Sequence, residues 1–197
     1  MMYNSFKKAY ISDYKMFEEN LLATERYVTI DKKNYNTFSA EYRRLFLDIC
    51  SGIDSLADEF CSHLDESKKT SNTRTSILKR FSQIKNDYYK NLNNVPVKTN
   101  LNENITFCPF TKFSDKTTGD WWQDYNNVKH KRTGEVENSN GNMSNYELAN
   151  LKNVLVSLSA YYLLISMINN YFAKNGCEIY TFRSQLFEEI DIFATSY

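Results

Sequence analysis

The residues best suited to chemistry lie in one short stretch, from Asp120 to Arg132, which contains both tryptophans and one of the two histidines. Histidine is the side chain best placed for proton transfer near neutral pH. His130 is flanked by basic side chains that could hold a phosphate group beside its imidazole. These basic residues are Lys129, Lys131 and Arg132.

Other side chains of this stretch could complete a site for RNA. Asn126, one helical turn before His130, could orient the imidazole or the substrate, and Trp122 could offer a face for base stacking. Metal-independent RNA cleavage requires an acid–base group, cations for the charge that develops on phosphate, and polar groups that hold the scissile bond. The candidate catalytic residues are therefore His130, Arg132 and Asn126. The candidate contacts to RNA are Lys129, Lys131 and Trp122.

The spacing of apolar residues predicts that a helix capped by Asp120 carries these side chains. One side of this helix is expected to face the core, whereas Asn126 and His130, four residues apart, lie on the opposite side. His130 is therefore not expected to be an ordinary core histidine. The alternative to a catalytic site is a basic helix end at the surface. The core-facing side consists of Trp121, Tyr125, Val128 and Arg132.

Helical periodicity also dominates the rest of the chain, and strand patterns never exceed a few residues. The predicted fold is therefore an all-α, single-domain bundle of four to six helices with one long irregular loop at 91–116 and a surface loop at 133–143. Two other helices are predicted at 5–27 and 77–88, and a third is capped by Ser39 and continues to Phe60. A long helix is predicted to begin at Ser144 or Asn145 and to end at Asn175–Gly176. A short terminal helix is predicted around 183–190.

Charged residues of the neighbouring helices could add to the site. Asp54 lies at the margin of the apolar stripe that follows Ser39, where an acid either reaches water or supports a cationic site. The helix at 77–88 is flanked by cations that form either a solvated outer face or part of a phosphate-binding surface. These cations are Lys79, Arg80, Lys85 and Lys90.

The composition excludes several classes of function. The 24 basic and 24 acidic residues balance, so any binding of nucleic acid must come from a local patch. The four cysteines lack CxxC spacing and only two histidines are present, so no metal and no cofactor are expected. P-loop, GxGxxG, HExxH and GxSxG motifs are absent. No apolar signal segment follows Met1, which predicts a cytoplasmic protein with reduced thiols.

One segment has the length of a membrane span. No charged residue occurs between Asn153 and Ala173, a stretch of roughly the length of a spanning helix. Polar side chains nevertheless recur along one stripe of this helix, which a lipid-facing helix rarely carries. The pattern favours a buried core helix and no membrane contact, with a membrane span as the alternative. The stripe consists of Lys152, Ser159, Ser166 and Asn170.

Two motifs resemble a known superfamily. The string WWQDYNNVKHKR follows the loop with Pro109–Phe110 and is similar to a W-x-x-Y-N-x-x-K-H-x-R motif of bacterial proteins. The strings TFSAEY at 37–42 and CSGID at 50–54 resemble the matching upstream motif of those proteins. Together these motifs resemble the HEPN superfamily (higher eukaryotes and prokaryotes nucleotide-binding domain). The resemblance covers roughly residues 35–172 and implies one HEPN-like domain over 1–197.

This resemblance implies a role in RNA chemistry. Many members of the superfamily are metal-independent ribonucleases of toxin–antitoxin and phage-defence systems, and they act as homodimers whose paired R-x4-6-H motifs meet in a cleft. His130 matches the histidine, but residues 123–125 contain no arginine, and Gly52 stands where the upstream motif has glutamate. Other members bind nucleotides or act as non-catalytic partners.

Three functions are therefore open. The leading interpretation is a protein that binds RNA or cleaves it without metal. The alternatives are a non-catalytic helical interaction or dimerisation protein with a protein partner, and a nucleotide-binding accessory to a nucleotidyltransferase. Convergence of Lys129, His130 and Arg132 with Lys79 or Lys85 in one cleft would favour RNA. Burial of His130 against Asp54 would make it part of the scaffold.

Overall fold

Two long helices, α3 (Ala40–Leu64) and α6 (Leu151–Lys174), form the centre of the protein. The computed structural model describes residues 1–65, 76–101, 105–114, 116–138 and 141–190. The other α-helices are α1 (Tyr3–Phe6), α2 (Ser12–Ala23), α4 (Ile77–Asp87) and α5 (Asp120–His130). A π-helical stretch, Lys7–Ile11, joins α1 to α2, and single 3₁₀ turns occupy Thr24–Arg26, Lys32–Asn34 and Leu92–Asn94.

The predicted helical character is confirmed, but two small antiparallel sheets accompany the helices. The predicted loop at 133–143 contains a hairpin in which β3 (Glu135–Asn138) pairs with β4 (Gly141–Ser144). Within the predicted irregular region, β1 (Val97–Lys98) pairs with β2 (Thr106–Phe107). The fold is therefore mostly helical rather than wholly α. Strands of two to four residues are too short to show the alternation that predicts a strand from sequence.

The apolar stripe of α3 is buried as its sequence pattern predicts. Ser39 caps this helix, since its Oγ accepts a hydrogen bond of 3.0 Å from the backbone N–H of Tyr42. Buried residues then recur at helical spacing through five turns of α3. They are Tyr42, Leu45, Phe46, Ile49, Cys50, Ile53, Leu56, Ala57, Phe60 and Cys61.

The last long helix begins later than its sequence predicts. The prediction of a start at Ser144 or Asn145 is wrong, because β4 extends to Ser144 and turns follow it. Asn150 is the true cap, since its Oδ1 accepts a hydrogen bond of 3.1 Å from the backbone N–H of Asn153. The predicted end is confirmed at Gly176, whose φ of 79° lies in the left-handed region.

Helix α6 is buried along most of its length. Its length and apolar composition would allow it to cross a membrane, and this is true of no other helix among the described residues. In its most apolar window, 83% of the residues are buried inside the protein. This burial is what the core helix of a globular bundle shows, and it favours the interpretation of α6 as a core helix.

Helices α3 and α6 approach closely at Gly52. A Cβ atom at this position would lie 2.6 Å from Cε2 of Tyr161 on α6. The ring of Tyr161 is fully buried and is fixed between two aromatic rings of α2. It stacks on Tyr14 with 6.3 Å between ring centroids and meets Phe17 edge-on at 5.8 Å. The ring therefore has little room to move away from a side chain at position 52.

We expect Gly52→Ala to lower the free energy of unfolding by about 1–2 kcal/mol. Overpacking a core typically costs about 1–3 kcal/mol, and the higher helix propensity of alanine offsets up to about 1 kcal/mol of this. Urea unfolding of the variant would measure the difference. Ser51→Ala, on the exposed face of the same helix, should leave stability unchanged or slightly higher. A Gly52→Ala protein as stable as Ser51→Ala would contradict the close approach.

The segment after α6 contains no helix over 177–190, so the prediction of a terminal helix around 183–190 is wrong. Phe187 forms a bridge with Thr99, and the backbone N–H of Glu188 donates to the carbonyl of Lys98 at 2.9 Å. The buried carboxylate of Glu18 binds the backbone N–H groups of Gln185 and Leu186 at 3.1 and 3.0 Å. These long-range partners replace the local hydrogen bonds of a helix.

Candidate functional site

Helix α5 is anchored to the body of the protein along one face. Trp121, Tyr125 and Val128 are buried on this face, as predicted. The indole Nε1–H of Trp121 donates a hydrogen bond of 2.8 Å to the carbonyl of Pro109. The ring of Tyr125 meets Phe46 of α3 edge-on, with 6.1 Å between centroids. The opposite face is therefore presented to solvent on a fixed support.

The predicted polar and basic residues lie on this solvent face and just beyond the helix end. Asn126, Lys129 and His130 are exposed, as are Lys131 and Arg132 after the last helical residue. His130 is thus neither a core histidine nor buried against Asp54. Lys129 and His130 occupy the last turn of α5, where the helix dipole favours positive charge. These five residues, Asn126, Lys129, His130, Lys131 and Arg132, are called the basic end of α5 below.

Trp122 does not belong to this exposed set, so its prediction as a stacking platform is corrected. Its side chain is only 4% exposed. The ring meets Trp121 edge-on at 5.5 Å and packs against Tyr125 at 5.0 Å between centroids. A ring that is enclosed in this way offers no face to a nucleic-acid base. Trp122 lies between the two faces of α5, and its large apolar surface is buried with the core side.

Arg132 was predicted on the core-facing side of the helix, and this placement is also wrong. Helix α5 ends at His130, and Lys131 has a non-helical backbone with φ −137° and ψ 46°. The buried amide of Asn145 holds this turn, because its Nδ2 donates to the carbonyl of Lys131 at 2.6 Å. The backbone N–H of Asn145 also donates to the carbonyl of Gly134 at 2.9 Å. Arg132 is therefore turned out into solvent.

Asn145 is a positioning residue that sequence reasoning missed. The sequence predicts a helix start at this residue because asparagine is a good N-cap. Asn150 is a second asparagine that can cap the helix equally well. Its presence is the signal in the sequence that Asn145 can hold the turn at Lys131 instead of capping α6. A Cβ atom at Gly134 would lie 2.7 Å from Nδ2 of Asn145, so the turn also requires a small residue there.

Lys129 is held against the tyrosine one turn before it. Its Nζ donates a hydrogen bond of 3.0 Å to Oη of Tyr125 and lies 5.2 Å from the centre of that ring. Burial raises the pKa of Tyr125, and the hydrogen bond from Lys129 partly opposes this shift. Burial also raises the pKa of the Cys50 thiol on α3, with a smaller opposing effect from Lys129. The ammonium group of Lys129 is therefore held over the ring of Tyr125.

Asp54 is bound to a cation of α4, which gives the predicted supporting acid a structural role. Its Oδ1 lies 2.5 Å from Nη1 of Arg80, whose side chain is only 3% exposed. Nη2 of Arg80 lies 2.8 Å from Oδ1 of Asp58. The expectation that Arg80 belongs to an outer cationic face is wrong. A single arginine among surface lysines gives no sequence signal of burial.

The other cations of α4 are Lys79 and Lys85, and Lys85 does not share its cleft with the basic end of α5. Lys85 lines an open cleft in the described part of the chain together with Phe81, Asn93 and Phe110. No residue of α5 lines that cleft. Lys79 is exposed. The basic end of α5 is thus a surface patch rather than the wall of a shared groove with Lys85.

Within the described residues, no group of three or more His, Cys, Asp or Glu side chains could hold a metal ion. The side chains at the basic end of α5 themselves offer two kinds of chemistry. An exposed imidazole can accept or donate a proton, and the neighbouring cations can bind phosphate oxygens.

No protein-family model, no curated protein and no solved structure matches this chain. The resemblance to the HEPN superfamily therefore rests on the motif residues of α3 and α5. The structure gives one departure from the upstream motif a physical reason. At Gly52, where that motif has glutamate, the ring of Tyr161 occupies the space that a Cβ atom would need.

Proposed function

We propose that this protein has a HEPN-like helical fold and binds RNA at the basic end of α5. At this site it cleaves the RNA without a metal ion. The observation that carries the proposal is the joint exposure of Asn126, Lys129, His130, Lys131 and Arg132 at the end of one anchored helix. Cations that are exposed together can neutralise neighbouring phosphates of a single strand. A toxin–antitoxin or phage-defence system is the proposed setting.

The proposed reaction is an internal transesterification of RNA. His130 removes the proton of a ribose 2′-hydroxyl, and the oxygen attacks the adjacent phosphorus. The bond from phosphorus to the 5′-oxygen of the next nucleotide then breaks, and that oxygen receives a proton. The products are a 2′,3′-cyclic phosphate and a 5′-hydroxyl. Lys129 and Arg132 stabilise the charge on the non-bridging oxygens, and Asn126 orients the phosphate.

The attacking 2′-oxygen and the departing 5′-oxygen lie on opposite sides of the phosphorus, so one imidazole does not reach both, and this face of α5 carries one imidazole. We propose that a second copy of the chain supplies the other, so that His130 of one copy acts as the base and His130 of the second copy as the acid. The homodimer that the HEPN resemblance implies would place the two histidines in one cleft. Under this arrangement, mixing His130→Ala protein into wild-type protein would reduce cleavage by more than dilution alone.

The test is cleavage of short labelled RNAs by the purified protein, with and without EDTA. We expect cleavage to persist in EDTA and to fall by at least about 10²-fold in His130→Ala, the usual size of an acid–base contribution. Arg132→Ala should weaken RNA binding and reduce its salt dependence. Lys98→Ala is the matched control, because Lys98 is exposed but lies on β1.

Two results would overturn this proposal. The first is the absence of both cleavage and RNA binding at low salt for a folded wild-type protein. The second is cleavage that His130→Ala retains in full, since the activity would then come from elsewhere or from a contaminant. If the protein binds RNA but does not cleave it, the proposed RNA binding stands and only the proposed cleavage is overturned.

A second candidate function is a non-catalytic interaction or dimerisation protein. The observation that favours it is that two predicted site residues, Trp122 and Asp54, belong to the scaffold. The basic end of α5 would then bind an acidic surface of a protein partner. Sedimentation of the protein with and without RNA would distinguish the two functions.

A further inference from the structure

A second cleft lies at the other end of α5. Residues of 108–112, Gly119, the first turns of α5 and the first turns of α6 line an open cleft of about 230 Å³. Pro109, Trp121 and Val156 give this cleft apolar walls. Small-molecule sites typically combine such walls with a few fixed polar groups. The cleft is called the α5–α6 cleft below, and its residues are separate from the basic end of α5.

One carboxylate of the α5–α6 cleft is held in place by a hydrogen bond rather than by an ion pair. Oδ2 of Asp124 accepts a hydrogen bond of 2.8 Å from Nδ2 of Asn153, and this Nδ2 also donates to the carbonyl of Leu148 at 2.8 Å. Burial raises the pKa of Asp124. No ion pair joins Asp124 to any cation in the described part of the chain. A desolvated, oriented carboxylate of this kind is typical of a binding site.

A positive charge lies in the same cleft and attracts Asp124 without forming an ion pair with it. Lys152, the second residue of α6, is exposed and lines the cleft. The other two charged residues of the cleft neutralise each other, because Nζ of Lys112 lies 2.5 Å from Oδ2 of Asp120. Among the described residues, the cleft therefore presents one carboxylate, Asp124, and one ammonium group, Lys152, that attract each other without forming an ion pair, beside apolar walls.

We propose that the α5–α6 cleft binds a free α-amino acid with an apolar side chain. The ammonium group of the ligand would contact the carboxylate of Asp124, and its carboxylate would lie toward Lys152. The apolar side chain would pack against Pro109, Trp121 and Val156. A zwitterion matches two opposite charges in one small cleft, and each charged hydrogen bond to it is stronger than a neutral one. This inference does not depend on the proposed RNA function.

Thermal unfolding in the presence of each of the twenty standard amino acids, followed by calorimetric titration of the best one, tests the proposal. L-leucine is the first probe, with N-acetyl-L-leucine and L-leucinamide as analogues that lack the ammonium and the carboxylate respectively. Asp124→Asn retains an oxygen that can accept the hydrogen bond from Asn153. We expect this variant to bind the best amino acid at least about tenfold more weakly. Lys152→Gln should weaken binding in the same way.

Lys112→Gln is the matched control, because it removes a lysine of the same cleft that is already paired with Asp120. It should bind the ligand with an affinity close to that of the wild type. No stabilisation by any amino acid at millimolar concentration would overturn the proposal. So would equal binding by folded Asp124→Asn, or equal binding of the N-acetyl analogue. RNA cleavage by His130 would be unaffected by any of these results, so the two proposals fail separately.

Discussion

Replacing Arg80 with alanine is expected to lower the free energy of unfolding by about 3 kcal/mol. Removing one partner of a buried ion pair typically costs about 3–5 kcal/mol, because the other charge is left without compensation. Asp54, the closer partner, is 25% exposed, so water screens part of this charge and the lower end of that range applies. Asp58 is half exposed and adds little.

Chemical unfolding of Arg80→Ala would measure this effect, with Lys79→Ala as the control. Lys79 is the exposed neighbour of Arg80 on the same helix, and its replacement should change stability by no more than about 0.5 kcal/mol. The double variant Arg80→Met with Asp54→Leu should recover most of the loss, since apolar replacement of a buried pair is often neutral. Equal stability of Arg80→Ala and Lys79→Ala would show that the pair does not hold α4 on α3.

Glu18→Ala is expected to cost a similar amount, about 3 kcal/mol, and to release the C-terminal segment. The carboxylate of Glu18 is only 2% exposed. It accepts hydrogen bonds from Oη of Tyr14 at 2.7 Å, from Oγ of Ser184, and from backbone N–H groups of the segment. Alanine would leave several buried donors without an acceptor, and each such group costs about 1–3 kcal/mol.

Hydrogen exchange would locate the effect of Glu18→Ala. The amides of Gln185 and Leu186 donate to Glu18 directly, so their protection should fall more than that of α3. Glu19→Ala is the matched control, because Glu19 is the exposed neighbour on α2. Glu18→Gln, which keeps one acceptor oxygen and loses the charge, should fall between the two. Unchanged protection of Gln185 and Leu186 in Glu18→Ala would refute this account of the segment.

The parts of the fold that local pattern determines were predictable. The stripe of α3 and its cap at Ser39 follow from residues three or four apart, and the exposure of His130 follows from its phase relative to Trp121 and Tyr125. The end of the last long helix at Gly176 has an equally local cause. In each of these cases the interaction that decides the structure lies within a few residues of the position it affects.

Three of the errors have the opposite property, since distant residues decided them. Arg80 is buried because Asp54, 26 residues earlier, binds it. The start of α6 moves to Asn150 because Asn145 is engaged with Lys131, 14 residues earlier. The C-terminal segment forms no helix because Glu18 binds its backbone donors. A helical wheel and a capping preference contain no information about such partners.

The contact between Glu18 and the C-terminal segment has a consequence for how the protein folds during synthesis. Glu18 is separated from Gln185 and Leu186 by 167 and 168 residues. Contacts of such long range slow folding, because a large loop must close before they form. On the ribosome, α2 emerges first, and Glu18 has to wait until residues 185 and 186 have left the exit tunnel. The apolar face of α2 can pack against α3 and α6 before that, since its rings contact Tyr161 of α6. The carboxylate of Glu18 lacks its partners in the segment until then, and the nascent chain passes through a stage in which other chains or chaperones can bind where the segment later lies.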